Sequence, residues 1–189
     1  MITFYLPKNP YYEFSNYNDR YPFILDGHRW LTVEQYFQAQ KFNIPDSPTH
    51  MKYYEIIKHT DTPNKAMMLG QQKCKWGYAS KWVVSKQNDG RTVNEVIHEY
   101  SDLSIRGDWE SIKLSIMKKG LYEKFTQHPF LKKLLLETGD QEIVENSPRD
   151  SYWGIGKNGL GHNHLGRLLM DIRKEIKFHP PGIEPGTHR

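Results

Sequence analysis

The sequence predicts a mainly α-helical fold with a few short β-strands, arranged as a compact α+β domain. Three observations lead there. Thr32-Val33-Glu34-Gln35 has the pattern of a capping box, in which a threonine hydroxyl and a glutamine amide satisfy backbone donors at a helix start. Ser47-Pro48 and Thr62-Pro63 each set an N-cap residue before a proline at the first helical position, where the missing N–H costs nothing. Further on, apolar residues return every three or four positions, which is the helical period.

Taken in order, the first strand signal is Thr3 to Leu6, and the second is Phe23 to Leu25 ahead of the turn residues Asp26-Gly27. The capped helix should run from Val33 to about Phe42, and the two Ser/Thr-Pro starts should open two more helices. Between residues 77 and 103 an Asn-Asp-Gly turn separates two runs of β-forming residues, so a β-hairpin insertion is expected there. Asp108 is placed to cap a helix whose apolar face is Trp109, Ile112, Ile116, Met117, Leu121 and Phe125. A short strand follows at Glu142 to Val144. The last helix carries Leu165, Leu168, Leu169, Ile172 and Ile176 on one stripe, with Arg167, Asp171, Lys174 and Glu175 elsewhere. From His179 three prolines and two glycines in HPPGIEPGTHR cannot continue a helix, and residues 179–189 are read as a flexible tail behind a domain at 3–178.

Composition narrows the class. With 189 residues one domain is the default, and 12 Tyr, 8 Phe and 5 Trp offset a modest 37% hydrophobic fraction as core material. No run approaches the roughly 18 apolar residues of a membrane span, and the N-terminus lacks signal-peptide character, so a cytoplasmic protein is expected. Cys74 is the single cysteine, which excludes an internal disulfide and a cysteine-based zinc site. It lies between Lys73 and Lys75, which would favour a thiolate, although a buried inert thiol is the commoner case. The formal charge is +4, and residues 65 to 91 hold six Lys or Arg against Asp89 alone. Such a bias suits phosphate-bearing partners, and a plain solvated face explains it equally well.

Two constellations could carry chemistry. Glu34, Gln38 and Lys41 fall at i, i+4 and i+7 of the capped helix and share one face. The aromatic neighbours Tyr36, Phe37 and Phe42 argue against a fully exposed helix, so the stripe can line a cleft; the alternative is an ordinary solvated Glu and Lys. The second is the glycine-rich stretch from Asp150 to Gly166, containing Trp153, Gly154, Gly156, His162 and His164. Gly154-x-Gly156-x-x-Gly159 formally matches a dinucleotide fingerprint but lacks the βαβ unit which that motif requires. What survives is that glycines let backbone N–H groups approach a phosphate near a helix start, or simply make tight turns. Trp153 can stack on a base or ribose, or plug the core. His162 and His164 are two apart and do not share a helical face, no metal-binding spacing occurs, and no metal or cofactor is predicted. Serine-hydrolase and P-loop signatures are also missing.

Taken together, Phe14-Ser15-Asn16, Asp26-Gly27, the run Trp30-x-Thr32-Val33-Glu34-Gln35-Tyr36-Phe37-Gln38-Ala39-Gln40-Lys41-Phe42 and the Trp153 segment resemble the NADAR, or YbiA-like, family. Agreement continues at Asp108-Trp109 with Lys113 and Met117, at Leu134-Leu135-Leu136-x-Thr138-Gly139-Asp140, and at Asn163-x-Leu165-Gly166. The departure is the longer segment around residues 77 to 103. The resemblance implies an N-glycosidase that hydrolyses a ribose C1′–N bond without a cofactor. Its substrates would be phosphoribosylamino-pyrimidine intermediates of riboflavin synthesis or ADP-ribosylated guanine, the latter in nucleic acid. It further implies catalysis by Glu34, Lys41 and Asp150. Substrate binding is implied for Phe14, Ser15, Asn16, Gln38, Trp109, Lys113, Trp153, Gly154 and Gly156.

The chemistry of that bond suits these residues. Cleavage passes through an oxocarbenium-like state that a carboxylate such as Glu34 can stabilise, while the leaving nitrogen needs a proton, work that Asp150 could share. Lys41 has two readings, an amine that forms a Schiff base at C1′ or a cation that holds phosphate. A different class stays open: a non-catalytic binder of ADP-ribose, nucleotide or nucleic acid. Intact Glu34 and Lys41 favour an enzyme over it. The sequence does not set the oligomeric state.

Overall fold

The computed structural model describes residues 1–72 and 85–178. Cys74, the first run of the expected hairpin up to Val84, and the tail from His179 lie outside the described residues. In chain order the elements are β1 (Ile2–Phe4), a 3₁₀ turn (Tyr12–Phe14), β2 (Phe23–Leu25), β3 (His28–Trp30), α1 (Val33–Gln40), α2 (Pro48–Lys58), α3 (Pro63–Gly70), α4 (Val93–Glu99), α5 (Trp109–Gln127), α6 (Pro129–Glu137), β4 (Ile143–Glu145) and α7 (His164–Phe178). The fold is mainly helical with short strands, as the sequence predicts. No described helix is long and apolar enough to cross a membrane.

The chain divides into two compact units, one of residues Asp19–Ile116 and one of Met1–Asn18 with the chain from Met117 onward. In the first, Asp26 and Gly27 both take positive φ, 52° and 74°, and so close the antiparallel β2–β3 hairpin. Strand β3, His-Arg-Trp, has only its tryptophan among the strong β-formers, and the sequence does not announce it. Helix α1 is buried over its whole length and packs on α2 and α3. Thr32 caps it as predicted, accepting from Gln35 N at 3.0 Å. The reciprocal half differs: Gln35 reaches back to the N–H of Leu31 and also donates to the carbonyl of Thr60 at 2.7 Å, tying α1 to the end of α2. Edge-on aromatic contacts, Trp30 with Tyr36 and Phe42 with Tyr53, fill the space around α1.

The expected hairpin insertion is corrected here. The Asn-Asp-Gly turn exists, with Gly90 at φ 87° and one bridge between Lys86 and Thr92. The second run is helix α4 rather than a strand, because Thr92 and Glu95 form a complete capping box and Val93, Val96 and Ile97 are buried on one side. Asp108 has a further partner. Its carboxylate, next to the start of α5, binds the guanidinium of Arg106 at 2.6 Å, an interaction that holds the acid below the usual carboxylate range.

In the second unit β1 pairs in parallel with β4; the strand starts one residue earlier and ends two residues earlier than expected, leaving Tyr5 and Leu6 outside it. Helix α7 packs on β4 so closely that a Cβ on Gly166 would lie 2.1 Å from the Ile143 carbonyl. Leu165, Leu169, Ile172 and Ile176 are buried as predicted. Helix α6, opening at His128-Pro129, carries the proline signal without a typical cap residue and was not anticipated.

Candidate active site

Helix α1 brings its predicted stripe together. Glu34 and Gln38 are only 4% and 2% exposed, which removes the solvated-stripe alternative, and the Gln38 amide donates to a Glu34 oxygen at 2.7 Å. That bond follows from the one-turn spacing and fixes the carboxylate's direction. Glu34 also lies in the first turn of α1, where the helix dipole favours negative charge. One turn on, the Lys41 ammonium lies 5.7 Å above the Phe37 ring and 5.8 Å from that of Trp109, and it donates to the Gly70 carbonyl at 3.4 Å. Cation–π attraction and a carbonyl at the C-terminal, negative end of α3 both hold the amine in place. Trp109, expected to bind substrate, is 4% exposed and packs tilted against Phe37 with ring centroids 4.9 Å apart, beneath Lys41. Lys113 is half-buried and pairs with Glu110 at 2.5 Å.

The glycine-rich stretch is a tightly laced loop in the other unit. Asp150 accepts from the backbone N–H groups of Tyr152 and Trp153 at 2.9 and 2.8 Å through one carboxylate oxygen. Its own carbonyl accepts from Gly156 N, while Gly161 donates to Ile155 and Asn163 to Gly154. The N–H of Gly156 is therefore directed into the loop and not toward a phosphate, and its φ of 68° makes it a turn residue. Gly154 is required by close approach, since a Cβ there would lie 2.8 Å from the Glu145 carbonyl. Trp153 is half-buried and sits edge-on to Tyr152 at 5.0 Å, which leaves part of its ring accessible. Asn163, at φ 52°, ties the loop to β4 by bonds to Glu145 N and the Ile143 carbonyl.

Phe14, Ser15 and Asn16 differ in their availability. Phe14 is fully buried among Phe4, Tyr11 and Phe125, so its expected substrate contact is corrected to a packing role. Ser15 is buried, with its hydroxyl accepting from Tyr17 N, and Asn16 is 8% exposed. Beneath this turn lies a residue with no signal in the sequence to single it out. Lys124 is fully buried and donates to the carbonyls of Glu13 and Ser15, both at 2.8 Å. Burial pushes its ammonium down to about 7, against a smaller opposing pull from Glu13.

A model of the NADAR domain matches residues 3–177. The chain belongs to the NADAR family. Among curated NADAR relatives, the N-glycosidase YbiA of Shigella flexneri serotype 5b is 36% identical over 176 residues, covering 93% of this chain and 88% of that protein. An N-glycosidase of Nostoc punctiforme is also 36% identical and is covered to 92%. The chloroplastic riboflavin biosynthesis protein PYRR of Zea mays is 33% identical, with this chain spanning 25% of its length. The NMR structure of the Escherichia coli protein YbiA superposes with a TM-score of 0.71 at 33% identity, covering 99% of this chain and 90% of that one.

Proposed function

We propose that this NADAR N-glycosidase hydrolyses the ribose C1′–N bond of a phosphoribosylamino-pyrimidine of the riboflavin route. The buried Glu34–Gln38 pair, with Lys41 one turn away over Phe37 and Trp109, carries this reading. A carboxylate withdrawn from water and oriented by an amide N–H stabilises positive charge at C1′ far better than a solvated one. The Lys41 amine attacks C1′ as the C1′–N bond breaks, the leaving nitrogen takes a proton, and ring opening gives an imine between C1′ and Nζ. Water then adds to the imine carbon and returns the free amine with ribose 5-phosphate. The choice of substrate follows relatives named as riboflavin biosynthesis proteins, in maize and in Vibrio vulnificus. Asp150 we assign to holding the backbone that carries Trp153.

The test is direct. The protein is incubated with a phosphoribosylamino-pyrimidine and, separately, with ADP-ribosylated guanine DNA, and release of each base is followed. Release of the pyrimidine with stoichiometric ribose 5-phosphate is the expected result. Turnover of the guanine adduct alone would reassign the substrate, and tight binding without release of either base would make the chain a binding module.

A further inference from the structure

Gly70 ends α3 in ordinary helical conformation, and its φ is not among the positive values that favour glycine. Helix propensity alone would favour alanine there. The reason for glycine is contact. A Cβ at residue 70 would lie 2.1 Å from Gln38 Oε1, 2.6 Å from Gln38 Cβ and 2.8 Å from Gln38 Cδ. The clash involves the root of the side chain as well as its tip, so a rotamer change at the amide alone does not relieve it. Gln38 Oε1 has no hydrogen-bond partner among the described residues, because it is pressed against this bare backbone while Nε2 points at Glu34. The carbonyl of the same Gly70 accepts from Lys41 Nζ. One residue of α3 therefore touches both polar groups on α1 that flank the proposed chemistry.

We propose that Gly70 is a positioning residue of the active site: its missing side chain seats the Gln38 amide on Glu34, and its carbonyl directs the Lys41 amine. This rests on the assignment of Glu34 and Lys41 as the catalytic pair. A methyl at residue 70 displaces Gln38 by about an ångström or moves the end of α3, and displacements of that size away from the reacting atoms typically cost about 10²-fold in rate. Substrate contacts that do not involve α1 or α3 are untouched, so the loss belongs in kcat and not in KM.

The experiment is a double-mutant cycle on the full chain, with kcat, KM and melting temperature measured for Gly70→Ala, Gln38→Gly and the double variant. The expected result is a kcat about 100-fold lower in Gly70→Ala with KM within threefold. In the Gln38→Gly background, where the Cβ of residue 38 is gone as well and the methyl has room, adding Gly70→Ala should change kcat less than threefold. Three results would overturn the proposal: wild-type kcat in Gly70→Ala, a further 100-fold loss in the double variant, or a double variant that cannot fold. If Gly70→Ala alone fails to fold, the double variant decides, since it should be folded and as active as Gln38→Gly. Glu34→Gln is assayed beside them. An active Glu34→Gln enzyme refutes the catalytic assignment itself, whereas an inactive one with a fully active Gly70→Ala refutes only the role given to Gly70.

Discussion

Glu34 shows how a local rule becomes a chemical arrangement. The i, i+4 spacing to Gln38 was legible because it depends on helix geometry alone, and the 2.7 Å bond realises it. Gly70 was not legible, because its partner is 32 positions away and a glycine at a helix end reads as ordinary punctuation. Phe14 was misplaced for the opposite reason: membership in a shared motif does not say whether a ring faces substrate or core. For Glu34 the expectation is that Glu34→Gln folds normally and loses at least 10²-fold in kcat, since the amide keeps shape but not charge. Activity within threefold of wild type would refute the assignment. For Lys41, borohydride added during turnover should reduce the imine and add mass to the peptide containing residue 41. Lys41→Arg should abolish both adduct and turnover, because a guanidinium stays charged and is no nucleophile. An active Lys41→Arg enzyme whose defect lies in KM would make Lys41 a phosphate ligand instead.

Among the elements, those with a signature at their own ends were readable and those defined by distant partners were not. Helices α2 and α3 start at the prolines that announced them. The valines and isoleucine of α4 suit strand and helix alike, so the sequence predicts a strand there, and the capping box at Thr92 and Glu95 decides for the helix. Of the two readings of the glycine-rich loop, amides offered to a ligand or tight turns, its inward bonds favour the second. Asp150 is where the two views diverge. As an organiser it satisfies two backbone N–H groups, so Asp150→Ala should destabilise the protein by about 1–3 kcal/mol and lower its melting temperature. Asp150→Asn keeps an acceptor oxygen and should retain most stability and turnover within tenfold. A stable but inactive Asp150→Asn enzyme would return Asp150 to acid–base catalysis.

At the scale of the molecule, the parallel pairing of β1 with β4 joins segments 141 positions apart, and nothing local in either strand encodes it. The same limitation hid Lys124, which reads as part of a charged helix surface until the 3₁₀ turn is packed over it. Its burial has a thermodynamic consequence for the chain as a whole. Between about 7, where the native amine loses its proton, and the ordinary lysine value near 10.4, the unfolded chain binds more protons than the native one. Stability from this group therefore rises with pH across that window, by at most about 1.4 kcal/mol per unit. Tyr54 acts beyond it and with opposite sign. Burial pushes its phenol up to about 12, so above pH 10 the unfolded chain ionises first and stability falls. Lys124→Met keeps the side chain's length and removes the titration, and the difference in unfolding free energy between wild type and this variant isolates the lysine. That difference should shift in favour of wild type as pH is raised from 7 to 10, read by denaturant titration at each pH. A difference that stays constant over those three units would mean that Lys124 is buried fully charged, held by its two carbonyls strongly enough to cancel the desolvation.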